Sequence, residues 1–495
     1  MSSEPQTEPE VFEAVALDGS RCGPPPTGYH SGSAGGSLCG DLVRISLACE
    51  AGRVERATFE AEGCAALSAC AAAACEEVEG TGVLDAATLG AARIGELAGG
   101  LSPQGTHAAE LVGDALGRAL AALAGSGAPV APAGAGERVL VAVSGGVDSA
   151  VAALLERERG AEVVAVTLKL WADERTDGTQ ACCSPEAVRG ARALCHSIGV
   201  PHLTLDLEEA FRAGVVDAFV GGHRAGETPN PCVICNGDLR IDAMVELAER
   251  VGARTLATGH YARVADDGEG PLLRAAADEA KDQTYMLSGL RPATLARLRF
   301  PLAELAKADV RAIASAHGLP VADKRESQDL CFLAGEGKRS FLLRHGEIAD
   351  VEGELIDSSG RAIGRHPGHH HFTVGQRRGL GVASGEPLYV LRTDATTNRV
   401  TIGPREELAT SRVRVRAARL HRSSRRADRV KLRYHARAIE CSVSYAPAGE
   451  HAELELELAE AAYGVAPGQT ACLLDGDLVV GRATIAASTP EPPAV

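Results

Sequence analysis

The stretch "RVLVAVSGGVDSAVAALLERERG" (138–160) constrains the fold more than any other part of the chain. A short valine-rich run leads into two adjacent glycines and a serine, and an amphipathic helical pattern then ends at Gly160. Strand, tight turn and helix follow in that order. The unit recurs: "EVVAVTLKL", "PEAVRGARALCHSIG", "HLTLDL", "RIDAMVELAERVGA" and "RTLATGH" alternate strand and helix periodicity. Such alternation predicts an open parallel sheet whose ligand site lies at the carboxyl ends of the strands. In "AVSGGVDSA" (142–150), Gly145 and Gly146 let the backbone approach a ligand, and Ser144 and Ser149 offer hydroxyls. The following helix turns its free N–H groups to the same place, which suits a phosphate. No Gly-Lys-Ser/Thr follows, so this is not the Walker pattern.

The chain of 495 residues is too long for one core. Residues 1–26, polar and proline-rich, read as a disordered leader, and Cys22 within them has no assigned role. Residues 27–125 form an Ala/Gly-rich unit of strands and helices, and 126–137 ("SGAPVAPAGAGE") an interdomain linker. The nucleotide unit spans 138–345. Beyond it short, Gly-punctuated strands take over, as a small central domain (346–408), an antiparallel β-barrel (409–488) and a tail (489–495). "AELELELAE" (452–460) alternates with period two, so one face can be buried. The expected class is multidomain α/β plus β: an α+β N-terminal domain, an open parallel-sheet Rossmann-like domain, a small linking domain and a barrel.

The net charge of −16 argues against nonspecific nucleic-acid binding by the whole surface. Residues 411–440 nevertheless hold eleven Lys and Arg against Asp428 and Glu440. That segment reads either as an RNA or phosphate contact or as a solvated arginine-rich strand face. The N-terminus is acidic and polar, and no apolar run approaches the roughly 18 residues of a membrane span, so neither a secretory signal nor a span is expected. Fourteen cysteines then read as reduced thiols, ligands or nucleophiles rather than a disulfide framework, in a cytoplasmic protein.

Ser-Gly-Gly-x-Asp-Ser resembles the PP-loop of ATP pyrophosphatases. Taken with "TPNPCVICN" (228–236), "ATGHYARV" (257–264), "KDQTYML" (281–287), "RESQDLCF" (325–332), "HHHFTVGQRRGLGV" (369–382), "LRYHA" (432–436) and "GVAPGQTA" (464–471), it closely resembles the tRNA-specific 2-thiouridylase family, in order from about 138 to 486. The resemblance implies ATP with Mg2+ on Ala142, Val143, Ser144, Gly145, Gly146, Val147, Asp148 and Ser149, with Leu168 and Gly259 near the adenosine. It implies adenylation of the wobble uridine's 2-carbonyl oxygen, a persulfide carrier at Cys331 and a second catalytic thiol at Cys235, with a transient disulfide between them. Asn230, Pro231, Cys232, His260, Lys281, Asp282, Gln283, Arg433, Tyr434 and Gln469 fall on positions that contact tRNA. A cysteine desulfurase or other sulfur donor is the implied partner.

Many members carry Asp where this chain has Cys232. With cysteine at 232, the resemblance implies three thiols, Cys232, Cys235 and Cys331, at one site, enough to hold a [4Fe-4S] cluster with one iron open. Persulfide relay and cluster-bound sulfide are both open at this level. A zinc half-site lacks a second ligand pair, since Cys182 and Cys183 are adjacent. A thioredoxin-like pair would start a helix after a strand, whereas Pro229 and Pro231 precede this one. The histidines of "HHH" (369–371) have no assigned role, because neighbours on an extended segment point to opposite faces.

In the N-terminal unit, "SLCGDLV" (37–43), "AEGCAALSAC" (61–70) and "THAAELVGDAL" (106–116) resemble the U-type iron–sulfur cluster assembly scaffold. Cys39, Asp41, Cys64 and His107 match its ligand positions, and Ala108 stands where its last cysteine belongs. The resemblance implies a zinc or iron–sulfur site lacking one thiolate, or a degenerate domain kept for docking. Cys49, Cys70 and Cys75 read as small core residues. The functional alternative is a cluster assembly or carrier protein whose nucleotide domain drives release.

Overall fold

A computed structural model describes residues 21–36, 40–102, 105–171, 173, 184–324, 330–333 and 335–487. The N-terminal unit is a three-stranded antiparallel sheet of His30–Gly35, Leu42–Glu50 and Arg53–Glu62. Helices Ala65–Val78 and Thr106–Gly125 cover it. Gly32 lets the second helix lie directly on the sheet, since a Cβ there would stand 2.3 Å from Ala115 O. Folded structure begins earlier than the leader expected over 1–26: Gly23 N donates to Phe59 O at 2.9 Å and Arg21 pairs with Glu79.

The five-stranded parallel sheet runs in the order Leu298–Arg299, Thr255–Thr258, Arg138–Ala142, Glu162–Lys169, His202–Asp206. The chain enters in the middle, steps outward through 162–169 to 202–206, and returns to the other side of the first strand. That reversal opens a crevice between the carboxyl ends of Arg138–Ala142 and Thr255–Thr258. Val139, Leu140, Val164 and Leu256 are fully buried between the helical layers, as their continuous apolar runs require.

A four-stranded sheet follows, in the order Ala362–His366, Gly353–Ile356, Arg399–Gly403, Tyr389–Asp394. The last six strands close into an antiparallel barrel through pairing of Ala409–Leu420 with Leu478–Ile485. Leu454, Leu456 and Leu458 point into its core, as the alternation over 452–460 predicts. The hairpin Arg263–Asp266 and Pro271–Arg274, a part of the nucleotide unit, adds onto strand Leu478–Ile485. The two units therefore share one hydrogen-bonded sheet, a pairing too distant in sequence to read from periodicity.

Residues 126–137, read as an interdomain linker, are docked: Val130 is fully buried, and Val130 N and Ala131 N both donate to Arg250 O. One further expectation is corrected. The segment His369–His371 is a 3-10 turn, so the alternation argument for an extended segment does not hold there.

Candidate active site

The loop after Arg138–Ala142 closes on itself through Ser149, whose Oγ accepts from Ser144 N at 3.1 Å and donates to Gly146 O at 3.0 Å. Gly145 takes φ +70°, a left-handed conformation that a side chain would disfavour. Helix Val147–Glu158 starts here without a side-chain cap, which leaves its first N–H groups without a capping acceptor. Gly259 forms the opposite wall. A Cβ at 259 would lie 2.7 Å from Asp148 C and Ser149 N, so only glycine lets the two loops meet.

Two lysines reach this loop from far along the chain. Lys307 Nζ lies 2.7 Å from both carboxylate oxygens of Asp148, which also accepts from Tyr261 OH at 3.0 Å. Lys324 Nζ donates to Gly145 O at 2.9 Å. Both ammonium groups are 159 or more residues from their partners, and no local motif marks them.

The cysteine segment is built by capping. Asn230 Oδ1 accepts from Cys232 N and Val233 N at 3.2 and 3.4 Å, and Pro231 occupies the first turn of helix Pro231–Cys235. Proline is compatible with that position, so the prolines do not keep the thiols from a helix start, as the sequence suggested. The element before them is helix Asp217–Arg224, so the strand of a thioredoxin-like arrangement is still missing. A π-helical turn, Asn236–Arg240, leads on into Ile241–Arg250. Cys235 is buried in an apolar cluster with Leu170, Trp171, Phe211 and Phe332, and Cys331 packs against the same cluster. Cys232 is half-buried and outside that cluster. Burial pushes its thiol pKa up, against the opposing pull of the Arg240 cation.

Thiol segment and crevice are joined at His260. Arg240 Nη2 lies 2.7 Å from His260 Nε2, and Thr258 Oγ1 lies 2.8 Å from Nδ1. A guanidinium can only donate, so Nε2 accepts and Nδ1 carries the proton. Burial, then the Arg240 charge, lowers the His260 pKa to about 3. The imidazole is neutral at physiological pH.

Comparison with known proteins places this arrangement. The chain is 44% identical over 469 residues to the bifunctional protein NifU/MnmA of Rubrobacter xylanophilus, covering 92% of this chain and 93% of that one. The chain belongs to the tRNA-specific 2-thiouridylase family, with a NifU-like domain fused ahead. The tRNA-specific 2-thiouridylase MnmA of Acidithiobacillus ferrooxidans is 43% identical over 352 residues, 70% of this chain and 97% of that one. That of Trichormus variabilis is 41% identical over 359 residues, 70% of this chain and 98% of its own length. Family profiles match in series: NifU-like N-terminal domain (22–127), tRNA methyl transferase HUP domain (137–335), tRNA methyl transferase PRC-barrel domain (339–404) and aminomethyltransferase β-barrel domain (405–485).

Within the thiouridylase portion, several residues expected at the RNA spend their polar groups on the protein itself. Asp282 accepts from Ala276 N and Thr284 Oγ1, and Gln283 Oε1 accepts from Tyr261 N, next to His260. Lys281 sits in the turn just before them. Gln469 Nε2 donates to Thr228 O at 2.6 Å, tying the barrel to the cysteine segment. Arg433 Nη2 donates to Gly464 O at 2.7 Å, and Tyr434 lies 6.1 Å from the buried Tyr285 ring. The basic segment is largely neutralised: Arg412, Arg416, Arg419, Arg422, Arg426 and Arg437 pair with Glu457, Glu227, Asp238, Asp267, Asp475 and Glu460. Its field on RNA is therefore weaker than its composition suggests.

In the NifU-like domain, Asp41 Oδ1 accepts from Cys64 N at 3.0 Å, and Cys64 Sγ lies 3.5 Å from Asp41 Oδ2. His107 stands at the start of helix Thr106–Gly125, half-exposed and 4.0 Å from Glu110, and the neighbouring Ala108 is buried. Cys39 lies outside the described residues, as do Cys182 and Cys183. Cys70 and Cys75 are core residues, and burial pushes their thiols up to about 11 and 12. No helix among the described residues is long and apolar enough to cross a membrane.

Proposed function

We propose that the chain converts the wobble uridine of tRNA to 2-thiouridine, using ATP and a sulfur carried on Cys331. The uridine 2-oxygen attacks the α-phosphorus of ATP, forming an O–P bond and releasing diphosphate. The terminal sulfur of a Cys331 persulfide then attacks C2, and the C2–O bond breaks with AMP as leaving group. The Cys235 thiolate next attacks the Cys331 sulfur. The S–S bond breaks, its electron pair stays on the transferred sulfur, and a Cys235–Cys331 disulfide remains for an external dithiol to reduce. A cysteine desulfurase or comparable donor reloads Cys331. The docked NifU-like domain, with Asp41 and Cys64, is a candidate for delivering sulfur or cluster from a fixed position.

The observation that carries this reading is the placement of Cys235 and Cys331 against one apolar cluster. The Arg240–His260 contact joins the segment bearing Cys235 to one wall of the crevice, and Lys324, seven residues before Cys331 in the sequence, donates to Gly145 on the other. An uncapped helix end, a left-handed glycine and two nearby ammonium groups fit the phosphates of ATP with Mg2+. Three thiols also suit an iron–sulfur cluster chemically, but the place of Cys232 outside the cluster of Cys235 and Cys331 favours the two-thiol relay.

Thiolation of unmodified tRNA, followed by retardation of thiolated tRNA on mercury-containing gels, tests the reading. Cys235→Ala and Cys331→Ala should abolish product while ATP-dependent diphosphate release persists. Full activity in Cys235→Ala would overturn the mechanism. Cys232→Ser should keep most activity; its inactivity, together with loss of iron and sulfide from anaerobically purified protein, would establish the cluster route instead.

A further inference from the structure

We propose that Asp350, His370 and His371 form a site for one divalent transition-metal ion of the zinc type, at the seam between the four-stranded domain and the helices of the nucleotide unit. The 3-10 turn His369–His371 brings consecutive imidazoles to one side. His371 Nε2 lies 2.6 Å and His370 Nε2 3.5 Å from the same Asp350 oxygen, and the three donor atoms all lie within 4.8 Å of one another. Among the described residues it is the group of three His, Cys, Asp or Glu side chains that converges this closely.

The alternative is a plain hydrogen-bonded cluster, and geometry argues against it for His370. Its ring is buried, 3% exposed, yet its Nε2 faces the carboxylate from 3.5 Å, too far for a strong hydrogen bond. Tetrahedral zinc, with bonds of about 2.0–2.1 Å to nitrogen and oxygen, separates its ligand atoms by roughly 3.3 Å. The His370–Asp350 separation is already close to that length, and His371, 2.6 Å from the same oxygen, would move outward by roughly 0.7 Å and bind through Nε2 with its proton on Nδ1. The pocket is shaped for the ring: a Cβ on Gly368 would stand 2.4 Å from His370 Cε1.

The surroundings are those of a supported site. Arg339 holds the second Asp350 oxygen. Asn398 Oδ1 accepts from His369 N at 3.1 Å and fixes the turn. His369 Nε2 lies 3.3 Å from Arg224 O, at the end of the helix that leads into the cysteine segment. Two imidazoles and one carboxylate suit zinc or a neighbouring ion better than Mg2+ or Ca2+, which prefer oxygen donors throughout. The ion would fasten Asp350, which follows helix Lys338–Gly346, to the turn of the four-stranded domain, with water as fourth ligand.

Co2+ titration of full-length protein carrying Cys39→Ser, Asp41→Asn and Cys64→Ser tests this apart from the N-terminal cysteines. The expected result is one equivalent bound, with d–d absorption and no thiolate charge-transfer band. Zn2+ should displace it and slow hydrogen exchange over 345–372. His371→Gln and Asp350→Asn should each weaken binding by at least about tenfold while far-UV dichroism and metal-free melting stay unchanged. Absence of Co2+ and Zn2+ binding in the parent, or binding unaltered in both variants, would overturn the proposal.

Discussion

Gly259 shows how one missing side chain sets the crevice. It stands where the loops after two parallel strands meet, and the atoms a Cβ would strike, Asp148 C and Ser149 N, are backbone that cannot rotate away. Gly259→Ala should therefore raise the KM for ATP by about tenfold or more, while the apo-protein melts within a few degrees of the parent. ATP titration by calorimetry beside a melting curve checks this, and unchanged affinity would show that the loops can separate freely. The glycine-bearing loop itself was legible in the sequence, because a strand, two glycines and a helix start are local. Lys307 and Lys324 were not, since only the folded sheet brings them to Asp148 and Gly145.

At the scale of elements, the run from helix Pro231–Cys235 through the π-helical turn to Ile241–Arg250 is held from outside by the barrel. Asp238, on the π-helical turn, accepts from Arg419 at 2.9 Å and Arg482 at 2.6 Å, both on barrel strands and both mostly buried. Two guanidiniums share one carboxylate, so neutralising it leaves cations poorly compensated. Asp238→Asn should cost roughly 1–3 kcal/mol, less than for a fully buried pair because Asp238 retains some solvent contact. Thiolation should fall more than ATP binding, because the clamp positions Cys235 and not the nucleotide loop. Thermal melting and parallel activity and binding assays test both halves. The sequence showed the helix over Ile241–Arg250 and the barrel strands, but neither helix Pro231–Cys235 nor the clamp. Arg419 read as part of a basic run and Arg482 lies outside it, and Asp238 is 181 and 244 residues from them. The π-helical turn has no periodic signature at all, and Gly237 is explained only by the approach of Gly289, whose Cα would lie 2.6 Å from a Cβ at 237.

For the molecule as a whole, neutral histidines distributed through the units predict acid lability. His223, in the nucleotide unit, is lowered to about 3 by burial and by Lys338, His370 and His369; His260 is lowered to about 3; and His421, on the barrel, to about 4 by burial and by Arg419, Arg422 and Arg482. His202, which bonds Thr167 where the NifU-like domain meets the parallel sheet, is also held well below its ordinary value, chiefly by burial. Each unfolds to an ordinary imidazole of pKa near 6.5, so between that pH and the folded value the unfolded chain binds more protons. Stability must then rise with pH across this window and decline as pH falls from about 6.5 towards 4, by up to about 1.4 kcal/mol per pH unit for each histidine. Asp267 acts lower: Arg422 and Arg426 hold its pKa well below the carboxylate range, so its contribution is present at neutral pH and is lost only as pH drops below about 4. Urea unfolding at intervals from pH 7.5 to 4.5, at fixed ionic strength, should show a steady loss that begins near pH 6.5. His260→Gln and His223→Gln should each flatten it, because glutamine binds no proton in either state. A profile that stays level down to pH 4.5 would mean that these imidazoles reach solvent before the fold gives way.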